Sequence, residues 1–491
     1  MDENLIFNGI NGATGSYLLP TITPAEVVTI AKGERVDHDH LFDLKLRLRQ
    51  ATETHRRIKE GFDPQLLSDA GWGVIFAYRD RDKIPSIKTA LAELLNLRKQ
   101  QAGERYREYS GEDAYRPGES KSSFMSRHRA GPGPADPDRM PYYLLIVADP
   151  ESIPYSFQYQ LDVQYAVGRI HFESLEEYAQ YARSVVRAET EPATLLKKTV
   201  FFGVENPDDR ATQLSANLLV QPLADLFAAE ESRSGWEIQA IRGEGATKAA
   251  LHECLTARDS SALVFTASHG LGFPPADPRQ SPHQGALVCQ DWPGPATWQG
   301  PIPEDYYYSA DDITSDAQLL GKISFHFACF GAGTPQMDDF SQHFFRDPQL
   351  IAPHAFMAHL PQRLLSHPRG GMLAVVGHVE RAWSFSFEWG DAGSQLAVFE
   401  STLKRLLAGQ PVGLAMEYFN ERYAELSTML TEELQGAQFG KLINVVELAN
   451  AWTANNDARS YVIIGDPAVR LRYIEPINAP GESAAESSLT T

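Results

Sequence analysis

The sequence predicts a three-layer α/β protein, and this prediction rests on three observations. Apolar runs of strand length, such as residues 142–147, alternate along the chain with amphipathic runs of helix length, such as residues 175–189. The apolar runs are unbroken, which is typical of parallel strands that are covered on both faces. Strands that alternate with helices of this length favour parallel sheets lying between two layers of helices.

The individual elements follow from the same patterns. We predict strands at residues 71–77, 142–147, 163–170, 200–204, 236–241, 262–267, 286–290, 322–327 and 372–376. We predict helices at residues 41–62, 87–105, 175–189, 212–229, 247–258, 339–345 and 394–407. Several of these helices carry an apolar stripe at helical spacing, which indicates that one face packs against a sheet.

Changes in composition divide the 491 residues into successive regions. Residues 1–140 contain a few α/β elements and end in a segment, 104–140, that is rich in Arg, Gly, Pro, Ser and Asp. That composition predicts an exposed loop, and its basic residues make it an alternative candidate for proteolytic processing. Residues 141–195 are predicted to form a first α/β subdomain and residues 196–475 a larger α/β domain. The tail at 476–491 has few apolar residues and is predicted to be disordered.

Charge and composition exclude several classes of function. With 44 basic and 64 acidic residues, the formal charge of −20 repels nucleic acid and anionic membranes, so we expect neither as a partner. No apolar run approaches the ~20 residues that span a bilayer. Three cysteines without a CxxC pair fit reduced thiols, and the acidic amino terminus lacks the apolar core of a secretion signal. We therefore expect a cytoplasmic protein without metal or cofactor, and an inert Asp/His cluster at residues 37–40.

Two of the predicted strands end in residues that can carry out chemistry. The strand at 262–267 leads into Ser268, His269 and Gly270, and the strand at 322–327 leads into Ala328 and Cys329. The carboxyl ends of parallel strands meet at one edge of a sheet, where binding crevices form. The imidazole would then lie beside the thiol and could take its proton or lower its pKa. Because glycine has no side chain, the Gly270 N–H could approach a substrate oxyanion.

Other residues compete for these roles. His378 also follows a predicted strand and is the main rival of His269, whereas His326 is expected to face the sheet. Cys254 and Cys289 fall within a predicted helix and strand, where packing is the expected role. Glu205 follows the strand at 200–204 and could orient His269, and a solvated loop residue is an equally good account of it.

An apolar block that ends in His-Gly, followed by one that ends in Ala-Cys, resembles the caspase-like (clan CD) cysteine peptidases. The similarity extends from about residue 141 to residue 473 and includes motifs that resemble the gingipain type. The motifs that carry it are YYLLIVADPESIP, AVGRI, GGMLAVVG and YVIIGDPAVRL. The first 140 residues match loosely, and the missing secretion signal favours an intracellular, CHAT-like bacterial branch. The resemblance implies a caspase-like domain at 196–475 with a gingipain-like subdomain before it.

The resemblance also implies an activity, a cysteine endopeptidase with Cys329 as nucleophile and His269 as base. The amides of Gly270 and Cys329 would hold the oxyanion, and a peptide would bind beside the Gly-rich strand as an added strand. Its partners would be a protein or peptide substrate and an activating partner or processing event. A catalytically silent scaffold and a thiol-dependent amidase or ligase are the alternatives.

The residue on the amino side of the scissile bond, P1, is expected to be Arg or Lys, as is common in this clan. A buried cation needs a buried carboxylate partner. The candidate pocket residues, which include one aromatic wall, are Glu380, Trp383, Asp338, Asp339 and Asp291.

Overall fold

The computed structural model describes residues 6–18, 58–230, 234–258, 261–338, 340, 349–389, 393–438 and 444–474. Several predictions fall outside these residues. They are most of the helix at 41–62, the cluster at 37–40, Asp339 and most of the helix that includes it, and the tail at 476–491.

The described residues form sixteen strands, ten of which make one large sheet that organises the fold. The strands are β1 (Gly9–Asn11), β2 (Trp72–Phe76), β3 (Tyr106–Tyr109), β4 (Tyr143–Val147), β5 (Ala166–Ile170), β6 (Lys198–Gly203), β7 (Glu237–Arg242), β8 (Leu263–Ala267), β9 (Gly270–Gly272), β10 (Leu287–Val288), β11 (Tyr307–Tyr308), β12 (Ile323–Phe327), β13 (Gly333–Thr334), β14 (Phe356–Met357), β15 (Ala374–His378) and β16 (Tyr461–Gly465). The order across the large sheet is β3-β2-β4-β5-β16-β15-β12-β8-β6-β7.

Two parallel halves meet in the middle of this sheet. Strands β2, β3, β4, β5 and β16 run parallel in one half, and β6, β7, β8, β12 and β15 run parallel in the other. The halves join through an antiparallel pair in which Ala374 of β15 lies opposite Gly465 of β16. The sheet is therefore mixed at one seam only, between the two strands that the chain reaches last.

Helices cover both faces of the sheet. They are α1 (Leu67–Ala70), α2 (Ile84–Ala90), α3 (Ala92–Ala102), α4 (Lys121–Arg127), α5 (Tyr155–Asp162), α6 (Leu175–Thr190), α7 (Arg210–Leu214), α8 (Gln221–Ala229), α9 (Lys248–Thr256), α10 (Gln280–His283), α11 (His359–Leu365), α12 (Ala397–Leu407), α13 (Val412–Ala415), α14 (Glu417–Gln438) and α15 (Val445–Arg459). Every residue of β4, β5, β8, β12, β15 and β16 is buried, so neither face of these strands meets solvent. The predicted three-layer α/β architecture is confirmed.

Aromatic side chains fix the two strands that precede the reactive residues. Phe265 of β8 lies beside Phe325 of β12, with ring centroids 5.1 Å apart. Phe325 also contacts Phe419 of α14, and Phe419 packs on Tyr461 of β16 at 4.3 Å. Large buried rings of this kind contribute strongly to core stability. The two strands are thus held in register by a core that extends across the seam.

The segment at 104–140 is not the exposed loop that its composition predicts. It contains β3, an edge strand parallel to β2, and helix α4. Tyr109, Phe124 and Met125 are buried there, and the ring of Tyr109 meets that of Phe124 edge-on. A few buried apolar residues therefore hold this polar, Gly/Pro-rich segment in the fold. The sheet also runs on across residue 140, because β2 pairs with β4.

A second, four-stranded sheet lies at the edge where the reactive residues are found. Its order is β1-β9-β10-β11. Strand β9 begins immediately after His269, and β1 pairs with it in parallel, with Gly9 opposite Gly270. Residues near the amino terminus are therefore brought directly beside the predicted active site. Among the helices of the described residues, none has the length and apolar character that a bilayer crossing requires.

Candidate active site

His269 and Cys329 are placed side by side by strand register. Strands β8 and β12 are parallel neighbours, with Ala267 opposite Phe327, and each reactive residue follows two positions later. Gly270 lies directly against the next strand end, because a Cβ atom at this position would come within 1.8 Å of the Cys329 carbonyl oxygen. No side chain larger than hydrogen fits there. The predicted neighbours His269, Gly270 and Cys329 are thus brought together at one sheet edge.

A buried carboxylate holds the imidazole of His269. Its Nε2 lies 2.7 Å from Oδ2 of Asp209, and both side chains are fully buried. Asp209 caps helix α7, accepting a hydrogen bond from the Thr212 backbone N–H at 3.2 Å and another from the Thr212 hydroxyl. The Tyr17 hydroxyl donates to its other oxygen. Burial alone would raise the pKa of Asp209, but His269 and these donors together hold that pKa well below its usual value.

This contact determines which nitrogen of His269 can act as a base. A carboxylate accepts hydrogen bonds, so the proton of the neutral ring belongs on Nε2. Nδ1 then carries the lone pair, and this buried atom has no hydrogen-bond partner among the described residues. The ring therefore keeps a free acceptor nitrogen that can take up a proton.

Glu205, predicted as an orienting residue, does not contact His269. Its carboxylate accepts hydrogen bonds from the Asn217 side chain at 3.0 Å and from Arg242 at 3.3 Å. Asp209, four residues later, occupies the position instead because it caps a helix that starts at the same sheet edge. The available signal was an Asp three residues before a Thr at the start of the helix predicted at 212–229, a common capping pattern.

The Cys329 thiol is buried and neutral in this arrangement. Its Sγ accepts a hydrogen bond from the backbone N–H of Ala382 at 3.2 Å. Burial raises the pKa of Cys329 to about 12, and the Ala382 hydrogen bond opposes that rise only in part. At neutral pH the thiol would need a base such as His269 to become a nucleophile.

Two backbone amides converge on one oxygen atom beside this thiol. The N–H of Gly270 donates to the carbonyl oxygen of Asn8 at 3.1 Å, and the N–H of Cys329 donates to the same oxygen at 3.2 Å. These are the two amides predicted to hold an oxyanion. Donors 2.7–3.1 Å or slightly more from a carbonyl oxygen, next to a nucleophile, form the geometry that stabilises a tetrahedral intermediate.

Backbone strain is concentrated around the same residues. Four non-glycine residues of the described chain have positive φ, and three adjoin the site. Asp208 (φ 56°) precedes Asp209, Phe330 (φ 58°) follows Cys329, and Glu380 (φ 79°) follows β15. Such conformations cost about 1–3 kcal/mol each and persist where surrounding contacts impose them. Their position indicates that the turns around the site are built to hold specific side chains.

Residues that were predicted to bind a basic side chain at P1 are already paired with a cation of the chain itself, Arg381. Arg381 forms a bidentate ion pair with Asp338, at 2.9 and 2.8 Å, and a further contact with Glu380 at 2.6 Å, all of them buried. Asp291 lies elsewhere and accepts from the Lys248 backbone N–H at the start of α9. Trp383 packs between Phe7 and Phe340, with ring centroids 5.1 and 4.6 Å away.

The remaining histidines and cysteines have structural surroundings. His378 lies against Tyr461, with ring centroids 4.1 Å apart, and burial lowers its pKa to about 3. His326 pairs with the Ser324 hydroxyl at 2.8 Å within the core. Cys254 lies on α9 and Cys289 directly after β10, and burial raises the pKa of both thiols.

Comparison with solved structures finds similar folds at low sequence identity. The Arg-specific cysteine proteinase gingipain R is 14% identical, with a TM-score of 0.46, covering 86% of this chain and 81% of its own. The pro- and mature domain complex of Porphyromonas gingivalis RgpB gives 13% identity and a TM-score of 0.43, with coverages of 82% and 80%. The Saccharomyces cerevisiae separase–securin complex gives 12% and 0.28, covering 67% of this chain and 16% of that one.

No family model matches the sequence, and no curated protein matches it significantly. The gingipain type, which the sequence motifs resemble, is among the similar solved structures. At these identities and TM-scores the likeness concerns the fold and carries no argument about activity.

Proposed function

We propose that this chain is a cysteine endopeptidase in which Cys329 is the nucleophile and His269 the general base. Nδ1 of His269 takes the thiol proton as Sγ attacks the scissile carbonyl carbon. The amides of Gly270 and Cys329 stabilise the oxyanion, and His269 returns the proton to the leaving amine. Water then hydrolyses the thioester and restores the thiol.

One observation carries this proposal. Two amide N–H groups at the ends of neighbouring strands, those of Gly270 and Cys329, both point at a single carbonyl oxygen beside the Cys329 thiol. Packing alone does not require an arrangement of this kind, and hydrolysis of an amide does. Asp209 supports it as a positioning residue, because it fixes the tautomer of His269 without touching the substrate.

The preference for Arg or Lys at P1 stays a prediction from the sequence. What speaks against it is the buried guanidinium of Arg381, which already pairs with Asp338 and Glu380. A second buried cation next to these groups would need additional negative charge. A panel of peptides that varies only P1 separates a basic preference from a neutral one.

The biological setting also remains a proposal. A cytoplasmic, CHAT-like bacterial peptidase with protein substrates needs restraint, so we expect activation by a partner or by processing. A catalytically silent scaffold is disfavoured by the polar partners that His269 and Cys329 both retain. A thiol-dependent amidase or ligase would use the same dyad and differ in whether water or an amine receives the acyl group.

The proposal is tested with fluorogenic peptides varied at P1, comparing wild type with Cys329→Ala and His269→Ala. We expect hydrolysis by the wild type and a loss of at least about 10³-fold in kcat for each variant. Cys254→Ala is the matched control, because it removes a buried thiol that lies on helix α9. Hydrolysis that survives Cys329→Ala contradicts the mechanism, and a wild type that cleaves no peptide contradicts the endopeptidase proposal and favours the scaffold.

A further inference from the structure

The amino-terminal residues of the chain run through the candidate cleft in an extended conformation. The N–H of Asn8 donates to the Ala382 carbonyl at 2.9 Å, and the N–H of Ser384 donates to the Ile6 carbonyl at 3.1 Å. Phe7 lies opposite Trp383 in an antiparallel bridge. An added antiparallel strand of this kind is a general way for a protein to bind an extended peptide. Residues 6–8 therefore hold the position that a peptide substrate would take.

The register of this segment presents one peptide bond to the thiol. The carbonyl of Asn8 is the one that receives both the Gly270 and the Cys329 N–H. The next residue, Gly9, lies so close to the nucleophile that a Cβ atom added to it would come within 2.8 Å of the Cys329 Sγ. The carbonyl carbon between these two contacts belongs to the Asn8–Gly9 bond.

The side chain of Asn8 fills a small polar site. It is fully buried, and its Nδ2 donates to the Ser215 hydroxyl at 3.2 Å and to the Ser268 carbonyl at 3.3 Å. Its Oδ1 has no hydrogen-bond partner among the described residues. Neither partner of Nδ2 is charged, so this site fits a short neutral amide rather than a guanidinium or an ammonium group.

The chain beyond Gly9 is held in place independently. Strand β1 pairs with β9, and the N–H of Leu18 donates to the Gly9 carbonyl at 3.2 Å. Tyr17 donates to Asp209, the positioning residue of His269. Cleavage after Asn8 would therefore free residues 1–8 from the rest of the chain while leaving these contacts intact.

We propose that the enzyme cuts its own Asn8–Gly9 bond, and that external substrates carry Asn at P1. This inference rests on the proposed function. Sγ of Cys329 bonds to the Asn8 carbonyl carbon as His269 takes the thiol proton, and the C–N bond to Gly9 breaks as His269 protonates the Gly9 nitrogen. Water adds to the thioester, giving the Asn8 carboxylic acid and the free thiol. Departure of the segment that ends at Asn8 exposes the strand edge at residues 382–384, on the amino side of the cut bond, to other peptides.

The test follows the intact mass and the new amino terminus of the full-length chain over time. We expect a product that starts at Gly9 for the wild type and none for Cys329→Ala. The Asn11–Gly12 bond is an internal control with the same dipeptide, and it should stay intact because the Asn11 carbonyl accepts from Thr14 and Gly15 in a turn. Asn8→Leu, which keeps the size and removes the amide, should slow the cleavage at least about tenfold.

Dilution and external peptides separate the outcomes. Cleavage within one chain has a rate that does not change over a hundredfold dilution, and a rate that falls on dilution overturns the assignment of the segment to its own cleft. A wild type that stays intact overturns the proposal, and if it still cleaves external peptides the proposed function survives. Equal cleavage in Cys329→Ala, or at both Asn–Gly bonds, identifies spontaneous chain breakage and also overturns it.

Discussion

At the scale of single residues, Asp209 connects the side chains on which the proposed chemistry depends. Its two oxygens receive His269, Thr212 and Tyr17, so one carboxylate connects the base, the start of a helix and the amino-terminal segment. A buried carboxylate with this many donors stays ionised. The state of the base therefore depends on a residue that does not touch the substrate.

Replacing Asp209 by Asn should change the tautomer of His269. An amide N–H facing Nε2 would favour a proton on Nδ1, and the lone pair needed to accept the thiol proton would be lost. We expect kcat to fall by about 10²–10⁴-fold with a small change in KM, measured on a peptide that the wild type cleaves. Glu205→Gln is the matched control and should change kcat little. An equal fall in kcat in both variants would contradict the role of Asp209 as the residue that positions His269.

Asp457 predicts a pH dependence of stability. Burial raises its pKa from 3.8 to about 6, although the Ser386 hydroxyl and the Trp383 N–H donate to it. A carboxyl whose pKa is higher in the folded state binds its proton more tightly there. The contribution of Asp457 to the free energy of unfolding is therefore complete below about pH 4, and it is lost as the pH rises through 6.

The Asp457→Asn variant should lack this dependence. The free energy of unfolding should fall between pH 4 and pH 7 in the wild type. From the size of the shift in the Asp457 pKa, this fall should be on the order of 3 kcal/mol larger than the fall in the variant. Urea unfolding of both proteins at the two pH values measures the difference. Identical pH profiles would show that Asp457 is ionised in the folded protein throughout.

At the scale of elements, the helix after β6 shapes the site. Between α7 and α8 the chain forms a π-helical stretch, Ser215–Val220, and Ser215 at its start accepts from Asn8. π-Helical turns are rare and are often found at functional sites. The widened turn places a hydroxyl beside the Asn8 side chain, at the proposed P1 site.

Ser215→Ala should therefore weaken selection at P1. Loss of one hydrogen bond to a buried amide corresponds to about tenfold in kcat/KM for peptides with Asn at P1. Peptides with Ala at P1 should be affected much less, because they make no such bond. Ser394→Ala, which removes an exposed hydroxyl bonded to the Leu218 carbonyl, is the control. An equal fall in kcat/KM for all peptides would indicate that the substitution disturbs the helix rather than a contact with the P1 side chain.

The sequence predicted the elements near the dyad better than those farther away. The strands before His269 and Cys329 were recognisable because unbroken apolar runs ended in reactive residues. Helices α14 and α15 were missed, although they pack on each other and α15 supplies Asp457. Helix α14 does carry buried apolar residues at helical spacing, so its signal was present in the sequence and was overlooked: Phe419, Tyr423, Leu426, Leu430 and Leu434. Helix α15 has no clear apolar stripe in its sequence. Asp209 was missed because only the folded chain brings it to His269.

At the scale of the whole molecule, a buried ion-pair network ties the first strands to the last. Arg98 of α3 contacts Asp466, just after β16, at 2.6 Å and Glu189 of α6 at 2.6 Å. The Nε1 atom of Trp72 on β2 also donates to Asp466, at 2.9 Å. Residues before 140 are thus part of the same folded unit as the candidate active site, a connection that composition alone did not reveal.

Arg98→Leu should destabilise the entire protein. It leaves the fully buried Asp466 without its cation, which costs about 3–5 kcal/mol in comparable pairs. Arg183→Leu, which removes the partly exposed pair with Glu176, should cost at most about 1 kcal/mol. Denaturant unfolding of both variants measures the difference. A loss of stability confined to the residues before 140, with the rest unfolding as in the wild type, would contradict the idea that the chain unfolds as a single cooperative unit.

The position of β16 has a consequence for how the protein is made. Strand β16 lies in the middle of the sheet, between β5 and β15, yet it follows every other strand of the described residues. A ribosome releases the chain from its amino end, so both halves of the sheet exist before the strand that joins them. Asp457, which holds Trp383 in the cleft, arrives just before that strand. We therefore expect a nascent chain to be harmless to its neighbours until β16 has been synthesised, because its cleft cannot be completed before that strand is present.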